Sequence, residues 1–444
     1  MLKKKEDPAQ LGFYSSFEEQ LSRTHELYIL SNEVNWKMFD DAFEKLYCED
    51  NGAPAKPIRL MVGLILLKHI RDLSDESVVQ QWSENVYYQY FTGEQMFASG
   101  EPCDASELVH FRNRIGTEGA ELIFKESIRI NGSDADEGDG IADTTAMEKN
   151  ITFPTDTKLH RKIIKKCIAI ADQENIELRQ RYTFVLKKLV LCLRYRKHPK
   201  NKAKAKKAEK KIKTIAIRLV SELERKLSPS ELANHAELLT LFKKVLKQEK
   251  NSTNKIYSLH EPDVYCMSKG KENKTYEFGS KVAFILTKTT GIFVGALNMP
   301  KNDYDGHTLE PALKQYERLT GKQLKNIYAD RGYKGVKQIG ETKVNIPKPL
   351  PQSASEYEKS KTRKNFRRRA SIEPKIGHLK QDHRLNRNFY KGIKGDDMNV
   401  LLACAAMNFK RMMNKWKKKA KLFFDFILEA FCNMFFFVFN LKYV

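Results

Sequence analysis

The sequence predicts an α/β chain: a mixed sheet with flanking helices, a long helical insertion after the first strand, and an all-helical region in front. Three observations predict it. Short runs rich in β-branched and other apolar residues alternate with helical spacings from about residue 140 onward. A Lys-dense stretch of helical periodicity, at about 157–254, interrupts them. The first third of the chain carries helix starts and stops.

In order, PIRLMVGLILLKHIRDL (57–73) crowds apolar residues behind Pro57, a residue suited to a helix start. Ser74, Asp75 and Glu76 supply the cap and first-turn anions of the next helix, ESVVQQWSENVYYQYF. A third helix begins near Asp104, with Glu107 in capping-box spacing, and is expected to stop at Gly116. It carries His110, Arg112 and Arg114, so this region reads either as a DNA-binding helical unit or as an ordinary bundle with a solvated basic face. The polar, acidic and glycine-rich NGSDADEGDG (131–140) reads as a linker. After IADTTAMEKNI, a strand, come the long helices of 157–254, with a possible coiled-coil pairing. Their charge either tracks phosphate or keeps the helices solvated, the commoner reason for such runs.

VAFILTK and IFVGALNM flank a Thr-Thr-Gly connection and read as a hairpin, HTLEPALKQYERL as a helix, and LKNIYAD and KVNIPKP as strands. A last long helix starts near Ser371, with Pro374 tolerated in its first turn. Without the insertion, this is the element order of an RNase H-like layer fold. The expected organisation is an N-terminal helical region over 1–130, a linker at 131–139, an α/β domain over 140–414 containing the insertion, and a basic then aromatic tail over 415–444.

Lys and Arg outnumber Asp and Glu by 79 to 56, a formal charge of +23, which favours a polyanionic partner. Seven scattered cysteines without a C-x-x-C pair suggest neither a zinc site nor a disulfide framework, and fit a reducing cytoplasm. MLKKKEDPAQ has no apolar signal core. The aromatic C-terminus is interrupted by Asp425 and Glu429, leaving an uncharged run well short of the roughly 18–20 residues that span a bilayer. A docking helix or frayed tail is expected there, and no membrane partner.

Three acids fall at informative places: Asp143 at the end of the first strand, Asp330 at the end of the fourth, and Glu373 at the start of the last helix. Functional groups gather at the C-terminal edges of strands in open α/β sheets. Hard carboxylate oxygens suit Mg²⁺ or Mn²⁺, and two ions about 3.5–4 Å apart can stabilise both the attacking and the leaving oxygen of a phosphodiester displacement.

The stretches ADTTAMEKNITFPTD, YADRGYKG and RRRASIEPKIGHLKQDHRLNRN resemble the DDE transposases of bacterial insertion sequences, in particular the large fifth insertion-sequence family. The resemblance extends back through residues 57–94 and SELVHFRNRIG, and reaches forward to about Asn414. It implies that Asp143, Asp330 and Glu373 are metal ligands for Mg²⁺ or Mn²⁺, two ions being expected, with Asp143 bridging them. Related transposases carry Tyr, two residues, Arg, three residues, Glu, six residues, Lys; here Arg369, Glu373 and Lys380 keep the spacing while Phe366 replaces the Tyr.

Lys380 lies about two helical turns after Glu373, on the same face. Pro374 argues against a helix running unbroken through Arg369, which puts that side chain on the preceding loop. Both cations are expected to position DNA rather than bind metal. The resemblance further implies double-stranded DNA as partner (element ends and target), a dimer or larger homo-oligomer, and a cytoplasmic, nucleoid-associated location. The competing readings are a related nuclease that does not join strands and a decayed, non-catalytic DNA-binding protein. His307 and His378 read as structural.

Overall fold

The computed structural model describes residues 16–48, 54–249, 251–268, 275–347, 351 and 353–440. Helices α1 (Phe17–Gln20), α2 (Glu26–Glu33), α3 (Trp36–Phe43), α4 (Ile58–Ile70), α5 (Asp75–Glu84), α6 (Val86–Thr92) and α7 (Ala105–Ile130) lead into strand β1 (Asp139–Lys149). Helices α8 (Asp156–Gln173), α9 (Thr183–Cys192), α10 (Pro199–Lys226) and α11 (Pro229–Lys247) follow, then β2 (Tyr265–Ser268), β3 (Tyr276–Thr287) and β4 (Phe293–Met299). The chain continues through α12 (Asp305–Thr320), β5 (Asn326–Tyr328), β6 (Gln338–Ile339), β7 (Thr342–Asn345), α13 (Glu356–Arg369), α14 (Ile372–Asp382), β8 (Arg387–Asn388) and α15 (Gly392–Asn440).

These elements form two compact units. The first comprises residues up to Met147, Lys281–Met299 and Asp303 onward; the second is Glu148–Ser280 with Pro300–Asn302. Each has its own hydrophobic core.

In the first unit, the strand order runs β3-β1-β5-β7-β6, with β4 on β3 and β8 on β1. β1 and β5 are parallel, as are β5 and β7, whereas β3 and β4 form the antiparallel hairpin that the apolar runs and their glycine turn predict. Val282 to Leu286 are all buried, as expected of a strand covered on both faces. α12 and α15 both pack on β4. Asn408 of α15 accepts from the Phe293 amide (3.0 Å), and donates to the Phe293 carbonyl (2.8 Å) and the Ser127 hydroxyl (3.1 Å). One buried amide thus ties α15 to β4 and α7 with its polar groups satisfied.

The N-terminal helices share this core rather than building a separate one. α4 is buried from Leu60 to Ile70, and α7 packs along α15. The third helix stops where expected: Gly116 is non-helical, with a φ of 60° that a glycine adopts without steric cost, and a second helical segment follows it directly to Ile130. Two expectations change here. Residues 131–139 are not a loose linker, because Asp134 holds Arg411 (2.9 Å) and Lys415 (2.6 Å), and Glu137 accepts from the Thr289 and Thr290 amides (2.6 Å each). Finally, Arg112 does not sit on a solvated face. It makes a bidentate pair with Asp75 (2.7 and 2.8 Å) and lies over the half-buried Tyr390 ring.

The second unit is an antiparallel β2-β3 pairing, Tyr265↔Gly279 to Ser268↔Tyr276, with the helices α8 to α11. It is wider than the expected 157–254 because it includes β2 and the first half of β3. α10 buries Ala205, Ala208, Ile212, Ile215 and Leu219, a stripe of helical period packed on α8, α9 and α11. Among the described residues, no helix is long and apolar enough to cross a membrane.

Candidate active site

Two parallel strands place the first two acids. β1 pairs with β5 only over Asp139↔Asn326 to Ile141↔Tyr328. Asp143 lies two residues beyond Ile141, and Asp330 two residues beyond Tyr328. Period-two alternation then puts both side chains on one face, abreast, at the edge where the strands part. Asp143 is therefore not at the end of β1, which runs on to Lys149, but at the end of its pairing with β5. Asp330 caps the short 3₁₀ turn Arg331–Tyr333, accepting from the Gly332 amide at 2.8 Å.

The third acid comes from α14. Ile372, Ile376 and Leu379 are its buried face; Glu373, Gly377 and Lys380 share the adjoining one by the same i, i+4, i+7 spacing. Arg369 occupies the last turn of α13, not a loop, because α13 ends there and α14 starts anew at Ile372 after a turn at Ala370 and Ser371, so Pro374 falls at a tolerated first-turn position. Its guanidinium stands 3.6 Å from an Asp143 oxygen and 3.3 Å from a Glu373 oxygen. Phe366, one turn earlier, packs edge-on against Tyr328 of β5 (6.1 Å), seating α13 beside the strand that leads to Asp330. A ring suffices for that contact, which makes the missing Tyr hydroxyl dispensable for packing.

The electrostatics follow from this crowding. Burial pushes the Asp143 carboxyl up to about 6; the Thr144 amide and Arg369 pull it down, while Asp330 and Glu373 push it up. Burial also raises the Tyr333 hydroxyl well above its usual range, reinforced by Asp143, Asp305 and Asp330. Asp305 is a fourth carboxylate that sequence reasoning missed. It accepts from the Thr144 hydroxyl (2.8 Å) and the Lys281 ammonium (2.8 Å). A Cβ on Gly332 would lie 2.7 Å from an Asp305 oxygen and 2.9 Å from an Asp330 oxygen, so any larger residue would make the two carboxylates shift. The signal was its place in YDGHTL at a helix start, where an acid reads simply as a first-turn anion.

Lys380 lines a groove of about 580 Å³ with Arg384, Arg387 and Phe389. His307 is exposed and lies against Tyr304, and His378 pairs with Asp382 at 2.7 Å.

Among the described residues, no three acid, His or Cys side chains stand close enough to enclose an ion as they are placed. The Arg369 guanidinium lies between Asp143 and Glu373, and its buried Nε has no hydrogen-bond partner. All three acids offer hard oxygens, the donor set that suits Mg²⁺ or Mn²⁺.

Two families match the chain: Transposase domain (DUF772) over residues 15–114, and Transposase DDE domain over residues 246–409. Asp330 and Glu373 fall inside the second match, while Asp143 lies between the two. A curated relative, the uncharacterized protein ORF8 in the nfe locus of Rhizobium meliloti, is 40% identical over 174 residues, 38% of this chain and 84% of that relative. No solved structure matches the chain. The order of a helical transposase domain followed by a DDE domain defines a class, and the chain belongs to it: the DDE transposases of insertion sequences, in the arrangement of the fifth insertion-sequence family.

Proposed function

We propose that this chain cuts DNA at the ends of an insertion sequence and joins the freed strands to target DNA, with Asp143, Asp330 and Glu373 as the ligands of two Mg²⁺ or Mn²⁺ ions. The observation that carries the reading is the β1-β5 register, which sets Asp143 and Asp330 abreast at a strand edge, with Arg369 joining Asp143 to Glu373. The strand order β4-β3-β1-β5-β7 supports an RNase H-like catalytic fold.

Bound ions would stabilise charge on the attacking and leaving oxygens of the phosphodiester. Asp143, on the central strand, would serve both ions, and Asp330 and Glu373 one each. In hydrolysis, a water oxygen bonds to phosphorus as the bond to the 3′-oxygen breaks, leaving a 3′-hydroxyl on the element. In joining, that hydroxyl attacks a target phosphodiester and the target's own 3′-oxygen leaves. Neither step needs a nucleophilic side chain or a covalent protein–DNA intermediate. Arg369, released from its carboxylates once another cation neutralises them, would turn to the scissile phosphate. Lys380, further along the same face of α14, would hold the backbone beside it. The N-terminal helical region would contribute to binding the element ends, and pairing two ends calls for a dimer or larger assembly.

The test is a cleavage and strand-transfer assay on element-end DNA with Mg²⁺. Asp143→Ala, Asp330→Ala and Glu373→Ala should each abolish nicking and joining while keeping DNA binding; Arg369→Ala and Lys380→Ala should weaken end binding and slow cleavage. Undiminished cleavage by any acid variant removes that residue from the site. Nicking without joined product in the wild type would leave a nuclease.

A further inference from the structure

The insertion holds a concentration of charge that the carboxylate site does not use. Between Arg179 and Lys213 there are 15 Lys and Arg residues and one acid, Glu209. Among the described residues, Arg181 pairs with Asp172 and Arg196 with Glu209; the other cations of the stretch have no carboxylate partner there. On α10, Lys200, Lys204, Lys207 and Lys211 recur at i, i+4, i+7 and i+11, an exposed row about 16 Å long. The apolar stripe of α10 is already buried, so this side offers charge and nothing else.

Beside that row in sequence, α9 leaves apolar groups in water. Phe184 is 78% exposed, Leu191 55% and Tyr195 71%. Phe184, Lys188 and Leu191 share one helical face, and Tyr195 follows in the turns that end the helix. Lys187 stands 5.8 Å from the Phe184 ring centre. Isolated exposed apolar residues need no explanation, but three on one short segment enclosed by cations do.

We propose that α9 and the first half of α10 form a second DNA-binding surface, which grips the backbone of duplex DNA through the α10 lysines and seats Phe184, Leu191 and Tyr195 against base edges in the minor groove. DNA as the polyanion rests on the transposase reading; the charge row and the exposed side chains do not. Unpaired lysines at helical spacing fit a line of phosphates, and apolar side chains flanked by cations are the usual wedges of minor-groove binders. A lipid surface fits less well, since α10 has no apolar face left for acyl chains.

The test uses the full chain and a duplex of arbitrary sequence in EDTA, so that binding is read without cleavage. The combined variant Lys200→Gln, Lys204→Gln, Lys207→Gln, Lys211→Gln should lower the log–log salt slope of binding by about 3, near 0.9 for each lost phosphate contact. The corresponding Lys→Arg variant should restore it. The combined variant Phe184→Ser, Leu191→Ser, Tyr195→Ser should keep the slope and weaken binding by about tenfold or more. An unchanged slope in the Gln variant overturns the proposal, as does binding to phosphatidylglycerol vesicles that both sets of substitutions reduce more than DNA binding. Absence of nicking by the wild-type chain on element-end DNA with Mg²⁺, with the slope change intact, would fault the catalytic reading instead.

Discussion

The first unit and the insertion use the same cations in opposite ways. In the first unit they are joined to carboxylates: Lys68 and Arg112 share Asp75, Arg411 and Lys415 share Asp134, Lys281 holds Asp305, and Arg369 lies between Asp143 and Glu373. In the insertion, the stretch from Arg179 to Lys213 has one acid among its 15 cations. The net charge of +23 is therefore a poor guide to where a polyanion binds, because much of the first unit's share is tied up in holding elements together.

The largest effect should come from cutting one of these ties. Arg112→Ala removes both guanidinium bonds to Asp75 and the contact with Tyr390 in a buried setting, so unfolding of the first unit should become easier by about 3 kcal/mol. Denaturant melts check this, and a loss within about 0.5 kcal/mol would put Arg112 back on a solvated face.

The same cluster gives a pH signature. Burial lowers the Lys68 ammonium to about 8, with Arg112 adding to the shift and Asp75 opposing it. The folded state then gives up a proton that the unfolded state keeps, so this group's contribution rises from pH 8 upward and is lost as pH falls through 8. Wild type should gain about 2 kcal/mol relative to Lys68→Met between pH 8 and pH 10, the tyrosine and cysteine titrations in that window being common to both proteins. Parallel stability curves for the two proteins would contradict it.

By contrast, Lys204→Gln on α10 should change stability by no more than about 0.5 kcal/mol at any pH from 6 to 9, the usual result for an exposed side chain without a partner. A clear destabilisation in thermal melts would mean that the row is structural after all.

The sequence made Asp143, Asp330 and Glu373 legible because each sits at a junction that local pattern marks: a β-branched run, a buried strand ending in a tight turn, and a proline-bearing helix start. It also marked the hairpin and the Asp104 cap, which depend on neighbours in the chain. The long-range partners were not legible. Nothing local tells that Arg112 meets Asp75 37 residues away, or that Asp305 reaches Thr144 across 161. Gly116 was legible as a helix end because the backbone there takes a φ of 60°, which a glycine adopts freely; that a second helical segment follows at once was not. Arg369 was misplaced because Pro374 was weighed as a barrier to one helix, whereas two helices meeting at Ala370 accommodate it.

Direct measurement of Mn²⁺ binding by the DNA-free protein, through the electron paramagnetic resonance signal of the unbound ion, tests the central claim that three carboxylates from separate elements form one metal site. Asp143→Ala, Asp330→Ala and Glu373→Ala should each lose most of the bound Mn²⁺, while Arg369→Ala, which removes the competing guanidinium, should bind as tightly as wild type or more so. Wild-type Mn²⁺ binding in all three acid variants, or loss of the ion on removing Arg369 alone, would contradict the account.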